Sequence, residues 1–174
     1  MTVYVDMDGV IADFFGALEE QYNVPHWKSI KNIYKVLTEL WNTDFFNTIP
    51  KFEESDQVIQ MVKEMSGGDW GICSSPLKGD DFNSAFHKRL WLQKNGYEPE
   101  DLEKLIFTLE KEKYAINRMT GQPNILIDDK PVNIIAWERA GGIGIRFQCN
   151  EDDVEYLQGQ LNDALHPLRR ISGG

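Results

Sequence analysis

Three aspartates, Asp6, Asp8 and Asp13, follow directly on an apolar run in the stretch VYVDMDGVIADF, residues 3–14. Carboxylates are poor strand residues and costly to bury. Three of them crowded at a strand end therefore call for water, a metal ion or a reaction. A second acidic pair, Asp128 and Asp129, ends the run NILIDD (124–129), and two hydroxyls, Ser74 and Ser75, end WGICSS (70–75). Lys111 and Lys113 come shortly after LIFT (105–108). Carboxylates massed at one point repel each other and select a hard cation, and Mg²⁺ takes oxygen ligands while keeping waters and a substrate phosphate. An aspartate at a strand tip can attack phosphorus. A carboxylate two residues on can protonate the leaving oxygen and later activate water. A serine can hydrogen-bond phosphoryl oxygens, and a lysine can offset charge in the transition state. Together these are the parts of phosphate-monoester hydrolysis.

Such residues must be brought together by the fold. Five short apolar runs, at 3–6, 70–75, 105–108, 124–129 and 142–147, alternate with segments of helical spacing. Val58, Met61, Val62 and Met65 recur on one helical face, as do Phe82, Phe86 and Leu90, then Val132, Ile135 and Ala136, then Val154, Leu157 and Leu161. Continuous apolar strands between helices predict an α/β protein with a doubly wound parallel sheet, Rossmann-like, covered on both faces. In such sheets ligands bind beyond the carboxyl ends of the strands, and every cluster named above sits at such an end. Residues 24–52, aromatic and with one weak helical pattern (Ile30, Ile33, Leu37, Leu40), are too long for a simple crossover. They predict a small helical cap inserted after strand 1. The expected division is a core of residues 1–13 and 67–174 and a cap with its connections at 14–66. The terminal ISGG (171–174) is expected to fray.

The chain has 174 residues, enough for one ordinary domain, with 41% hydrophobic and 26% charged residues. A formal net charge of −10 disfavours a nucleic-acid polymer as partner but not a small phosphorylated ligand held by a locally positive pocket or a metal. Cys73 and Cys149 have no metal-site spacing and suggest no disulfide framework. The opening residues lack a secretory signal, and no apolar run reaches membrane-spanning length. The expected setting is cytoplasmic, with no membrane partner; a homodimer remains open.

The sequence DMDGV (6–10) resembles the first motif, DxDG(V/T), of the haloacid dehalogenase-like phosphohydrolases. The strand ending at Ser74, a following lysine and the strand ending in Asp128–Asp129 are similar to the other three motifs, in order, over roughly residues 1–147. The nearer resemblance is to the 5'(3')-deoxyribonucleotidase family, through DMDGVIADF, ICSSPLK (72–78), ILIDDKP (125–131) and FFNTIP (45–50). That likeness implies Asp6 as nucleophile and Asp8 as general acid and base, with Ser74 and a lysine completing the catalytic set. It implies Mg²⁺ held by Asp6, the carbonyl of Asp8 and the Asp128/Asp129 pair, with Asp129 favoured as ligand and Asp128 orienting water or lysine. It places Phe14, Phe45 and Phe46 around base and sugar, and Ser75 and Lys78 towards the phosphate. Lys130 stands where mammalian members carry arginine, and the two are not equivalent at a bidentate site. Lys111 is preferred over Lys113 as the motif lysine by its place after the strand, with Lys113 kept as a substrate contact.

Plainer readings exist for several of these residues. Asp13 can simply cap a helix beginning near Phe14, and Trp27, Trp41, Phe45 and Phe46 can form the core of the cap. His26, His87 and His166 have no partners at ligand spacing, and EDDVE (151–155) suits a solvated helix start. The expected function is a Mg²⁺-dependent hydrolase of (deoxy)nucleoside monophosphates that works through an aspartyl-phosphate. Its rivals are a phosphatase of another small ester or of polynucleotide 3' ends, and a nucleotide-binding module without turnover.

Overall fold

A computed structural model describes residues 1–167; the expected fraying of 171–174 lies outside the described residues. Five strands, β1 (Val3–Val5), β2 (Trp70–Ser74), β3 (Leu105–Phe107), β4 (Ile125–Asp128) and β5 (Ile143–Arg146), form one sheet in the order β3-β2-β1-β4-β5. Every pairing is parallel, with Val3 opposite Trp70 on one side and Ile125 on the other. The order reverses direction at β1, so the crevice at its carboxyl end is the natural ligand position. Each strand lies within one of the five apolar runs, shorter by one or two residues.

The sheet is buried on both faces because its strands are apolar on both. Val3, Val5, Ile72, Ile125 and Ile127 enter the larger core with Leu18, Trp91, Leu157 and Leu161. Tyr4, Cys73, Ile106 and Leu126 enter a smaller one with Ala115 and Trp137. The flanking helices are α4 (Ser55–Met65), α5 (Asp81–Asn95), α6 (Pro131–Arg139) and α7 (Val154–Leu165). All four coincide with the helical patterns, yet two bury a different face from the one the spacing marked. In α5, Phe82 and Phe86 face solvent, while Ser84, Lys88, Trp91 and Leu92 are buried. In α6, Val132 and Ile135 are exposed, and Ile134 and Trp137 are buried. Trp91 and Trp137 win the inward positions because large aromatics carry the greatest burial gain. Among the described residues no helix is long and apolar enough to cross a membrane.

Between β1 and α4 lie α1 (Phe14–Tyr22), α2 (Ile33–Glu39) and α3 (Phe45–Thr48). Asp13 is the N-cap of α1, its carboxylate accepting the Gly16 N–H at 2.9 Å. The cap is built on aromatic contacts: Phe14 stacks on Phe46 with centroids 5.9 Å apart, and Phe15 stacks on Trp27 at 4.9 Å. α3 lies along α5, and the Trp91 indole N–H donates to the Ile49 carbonyl at 2.6 Å. α4 packs against α7, and the Ser55 hydroxyl donates to the Ile11 carbonyl at 2.7 Å, which ties the first residue of α4 to the turn after β1.

Candidate active site

The carboxyl tip of β1 delivers Asp6, whose N–H still donates to the Ile127 carbonyl at 2.9 Å. The chain then turns sharply, with the N–H groups of Val10, Ile11 and Ala12 all donating to the Met7 carbonyl. Gly9 takes φ +82° in this turn, and a Cβ there would lie 2.5 Å from Asp129 Oδ2. Only glycine suits both the left-handed backbone and the close approach. The turn thus sets Asp8 beside Asp6 and seats Asp129 against the backbone.

Asp6, Asp128 and Asp129 are buried, and one carboxylate oxygen from each lies within 4.8 Å of the others. Lys111, in the turn after β3, reaches between two of them, 2.9 Å from Asp6 Oδ1 and 2.6 Å from Asp128 Oδ2. Asp128 also accepts the Lys130 N–H at 2.9 Å and the Asn133 amide at 3.0 Å. Burial opposes ionisation of Asp6, but the Lys111 and Lys88 ammonium groups outweigh it and hold the carboxyl below its usual range. Asp129 is the reverse case: burial, then the charges of Asp6 and Asp128, push it up to about 8. Burial and the Asp6 charge also raise Asp128.

This donor set fits a hard divalent cation. Asp129 Oδ1 and Asp8 Oδ1 are buried without a hydrogen-bond partner, and orphaned carboxylate oxygens are costly unless something binds them. A cation would supply the missing partner of Asp129 and relieve the mutual repulsion of Asp6, Asp128 and Asp129. Asp6 and Asp129 would hold it, with Asp128 behind them fastened to Lys111 and Asn133.

A second lysine, absent from the expected set, completes the floor. Lys88 on α5 is 1% exposed, and its ammonium lies 2.7 Å from Asp8 Oδ2, 3.1 Å from Ser74 Oγ and 2.7 Å from the Ser75 carbonyl. It also sits 4.9 Å from the centroid of the Phe46 ring. A readable signal existed: Ser84, Trp91 and Leu92 stand at helical spacing around Lys88, which places the lysine on the inward face.

A cavity of about 380 Å³ opens over these groups. Asp6, Asp8, Lys111 and Asp129 line its base, Phe14 and Phe46 its cap side, and Ser75 and Lys78 its rim. Leu37, Leu109, Lys130 and Asn133 also line it; the first two had no motif to mark them. Ser74 is fully buried behind the base with its hydroxyl taken by Lys88. Phe45 packs edge-on behind Phe14 and Phe46. Lys113 points elsewhere, exposed and paired with Glu110 at 2.6 Å.

No family model matches the chain. The mitochondrial 5'(3')-deoxyribonucleotidase of Mus musculus is 26% identical to it over 152 residues, an alignment covering 75% of this chain and 65% of that protein. The chain is similar to the 5'(3')-deoxyribonucleotidases. The Homo sapiens mitochondrial enzyme is 25% identical, over 75% of this chain and 63% of its own length. The alignments thus span just under two thirds of these relatives. A hydrolase from Streptococcus pneumoniae TIGR4 shares the fold, with a TM-score of 0.51 at 12% identity, over 92% of this chain and 97% of that one. The architecture is the α/β one, a parallel sheet with helices on both faces, expected from the alternation of apolar runs and helical segments.

Proposed function

We propose that the protein is a Mg²⁺-dependent phosphatase of (deoxy)nucleoside monophosphates, working through an aspartyl-phosphate on Asp6. The observation that carries this reading is the pairing, in one cavity, of an aspartate–lysine floor with a wall of stacked phenylalanines. A bare phosphate site would need no aromatic wall, whereas a base gains from one. The likeness to the deoxyribonucleotidases supports the same choice.

The steps follow from the positions. Asp6, kept ionised by Lys111, attacks phosphorus and forms an Asp6 oxygen–phosphorus bond as the bond to the nucleoside oxygen breaks. Asp8 has one oxygen held by Lys88 and the other without a partner. That free oxygen delivers a proton to the departing nucleoside oxygen. Water then attacks phosphorus and passes its proton back to Asp8, and Asp6 is released. Lys88 and Lys111 offset the charge gathered on the phosphoryl oxygens. The bound cation would add Lewis-acid polarisation of a phosphoryl oxygen. Lys130 stands at the rim as a point charge in place of a bidentate arginine. Closure of the cap over the floor excludes bulk water. Free, buried Cys73 and Cys149 suit a reducing compartment such as the cytoplasm.

The test is phosphate release from a panel of ribo- and deoxyribonucleoside monophosphates and sugar phosphates, with Mg²⁺ or EDTA. Mg²⁺-dependent release from nucleotides supports the proposal. Release from sugar phosphates alone would keep the chemistry and remove the nucleotide, and no release from any compound would remove both.

A further inference from the structure

The link between the cap and the phosphate side of the cavity is polar, specific and outside the chemistry just described. Asp80 occupies the N-cap position of α5, yet its carboxylate makes no capping bond to the backbone of the helix's first turn. An N-cap aspartate normally accepts from the first turn of its helix. Asp80 is instead buried, and Oδ1 accepts the backbone N–H of Asn42 at 3.2 Å, from the loop between α2 and α3. Oδ2 accepts the Asn83 amide at 2.9 Å, and that amide also donates to the Thr43 carbonyl at 3.0 Å. Asn42 takes φ +57°, the left-handed turn that presents this loop to α5. Beside these bonds Trp41 packs on Gly79, where an added Cβ would lie 2.3 Å from the indole and where φ is +91°.

The two segments so joined both lead into the cavity. One residue beyond Thr43 and Asp44 the chain enters α3 and delivers Phe46; one residue before Gly79 stands Lys78. We propose that Asp80 and Asn83 are positioning residues that fix the Phe46 wall over the aspartate–lysine floor and so determine affinity for the nucleoside part of the substrate. This rests on the proposed nucleotidase reading. The physical basis is that binding strength from a stacked wall depends on its placement to within about 1 Å. The floor itself is held by the strand tips and by Lys88 and Lys111, and does not need the clasp.

Asp80→Ala, Asn83→Ala and Asp80→Asn separate these roles. With a deoxynucleoside monophosphate, both alanine variants should raise KM roughly 10-fold while kcat stays within about threefold. The inhibition constant of inorganic phosphate, which needs only the floor, should stay within about twofold. Asp80→Asn keeps an oxygen for the Asn42 N–H and should recover most of the lost affinity. Asn83→Ala serves should Asp80→Ala fail to fold. Equal losses in kcat and phosphate binding, or no change in KM, would overturn the proposal while leaving a working nucleotidase. A wild-type protein that releases no phosphate from any nucleotide would overturn the underlying reading, and the proposal with it.

Discussion

The ammonium of Lys88 lies 2.7 Å from Asp8 Oδ2 and ties the middle of α5 to the turn after β1. A lysine that is 1% exposed is rarely retained without a partner of opposite charge. In the proposed reaction it would orient the Asp8 carboxylate for proton transfer and offset the charge that develops on the phosphoryl group. Lys88→Met, close in volume but uncharged, should lower kcat by about 100-fold or more. Steady-state rates on a nucleoside monophosphate, with a thermal melt to confirm folding, check this. A folded variant with kcat near wild type would remove Lys88 from the chemistry.

Gly9→Ala tests the turn that seats Asp129. The left-handed backbone alone should cost at least about 1 kcal/mol of stability. The added methyl would also collide with the Asp129 carboxylate and displace it. The Mg²⁺ concentration giving half-maximal activity should therefore rise, which a metal titration beside a urea melt would detect. An unchanged metal titration would separate Asp129 from the cation.

Asp13 divides cleanly between capping and substrate contact. Its carboxylate is bonded to the Gly16 N–H, the geometry of an N-cap. Asp13→Ala should cost about 1 kcal/mol of stability, while KM and kcat on nucleotides remain near wild type. A large rise in KM with unchanged stability would instead make it a substrate contact.

Asp69, just before β2, accepts the Thr2 hydroxyl at 2.8 Å and the Lys104 ammonium at 2.9 Å. Burial pushes its carboxyl up, but those hydrogen bonds and the Lys104 charge hold it below its ordinary value of 3.8. A lowered folded-state pKa means stability that is present above the ordinary value and lost as pH falls through the lower one. Asp69→Asn should be less stable than wild type near neutral pH, and the difference should shrink once pH falls below about 4. Urea midpoints at both pH values measure it; a constant difference would show that ionisation of Asp69 contributes nothing.

Strand placement was legible because parallel strands buried on both faces leave continuous apolar runs, and each acidic or hydroxyl cluster sat at the end of one. Asp6, Asp8, Lys111 and Asp129 could be read for that reason and share one cavity. Lys88 could not be read the same way. Phe82, Phe86 and Leu90 formed the more obvious stripe on α5, but packing against the sheet favoured Trp91 and Leu92, and the lysine turned inward with them. Leu37 and Leu109 reach the cavity only through the way the cap and the β3 loop fold back, which local spacing does not encode. Lys113 is alike in type and two residues further on, and only the place directly after the strand favours Lys111 in the sequence. The turn at Lys111–Tyr114 sends one to Asp6 and Asp128 and the other to solvent.

The most direct measurement is phosphate release from a deoxynucleoside monophosphate by wild type and by Asp6→Asn, each with Mg²⁺ and with EDTA, alongside nucleotide binding by both proteins. Wild type should release phosphate only with Mg²⁺. Asp6→Asn should bind the nucleotide yet turn it over about 1,000-fold more slowly or worse, since an amide cannot replace the carboxylate nucleophile. Comparable turnover by Asp6→Asn would contradict nucleophilic attack by Asp6, and unimpaired release in EDTA would contradict the role of the cation.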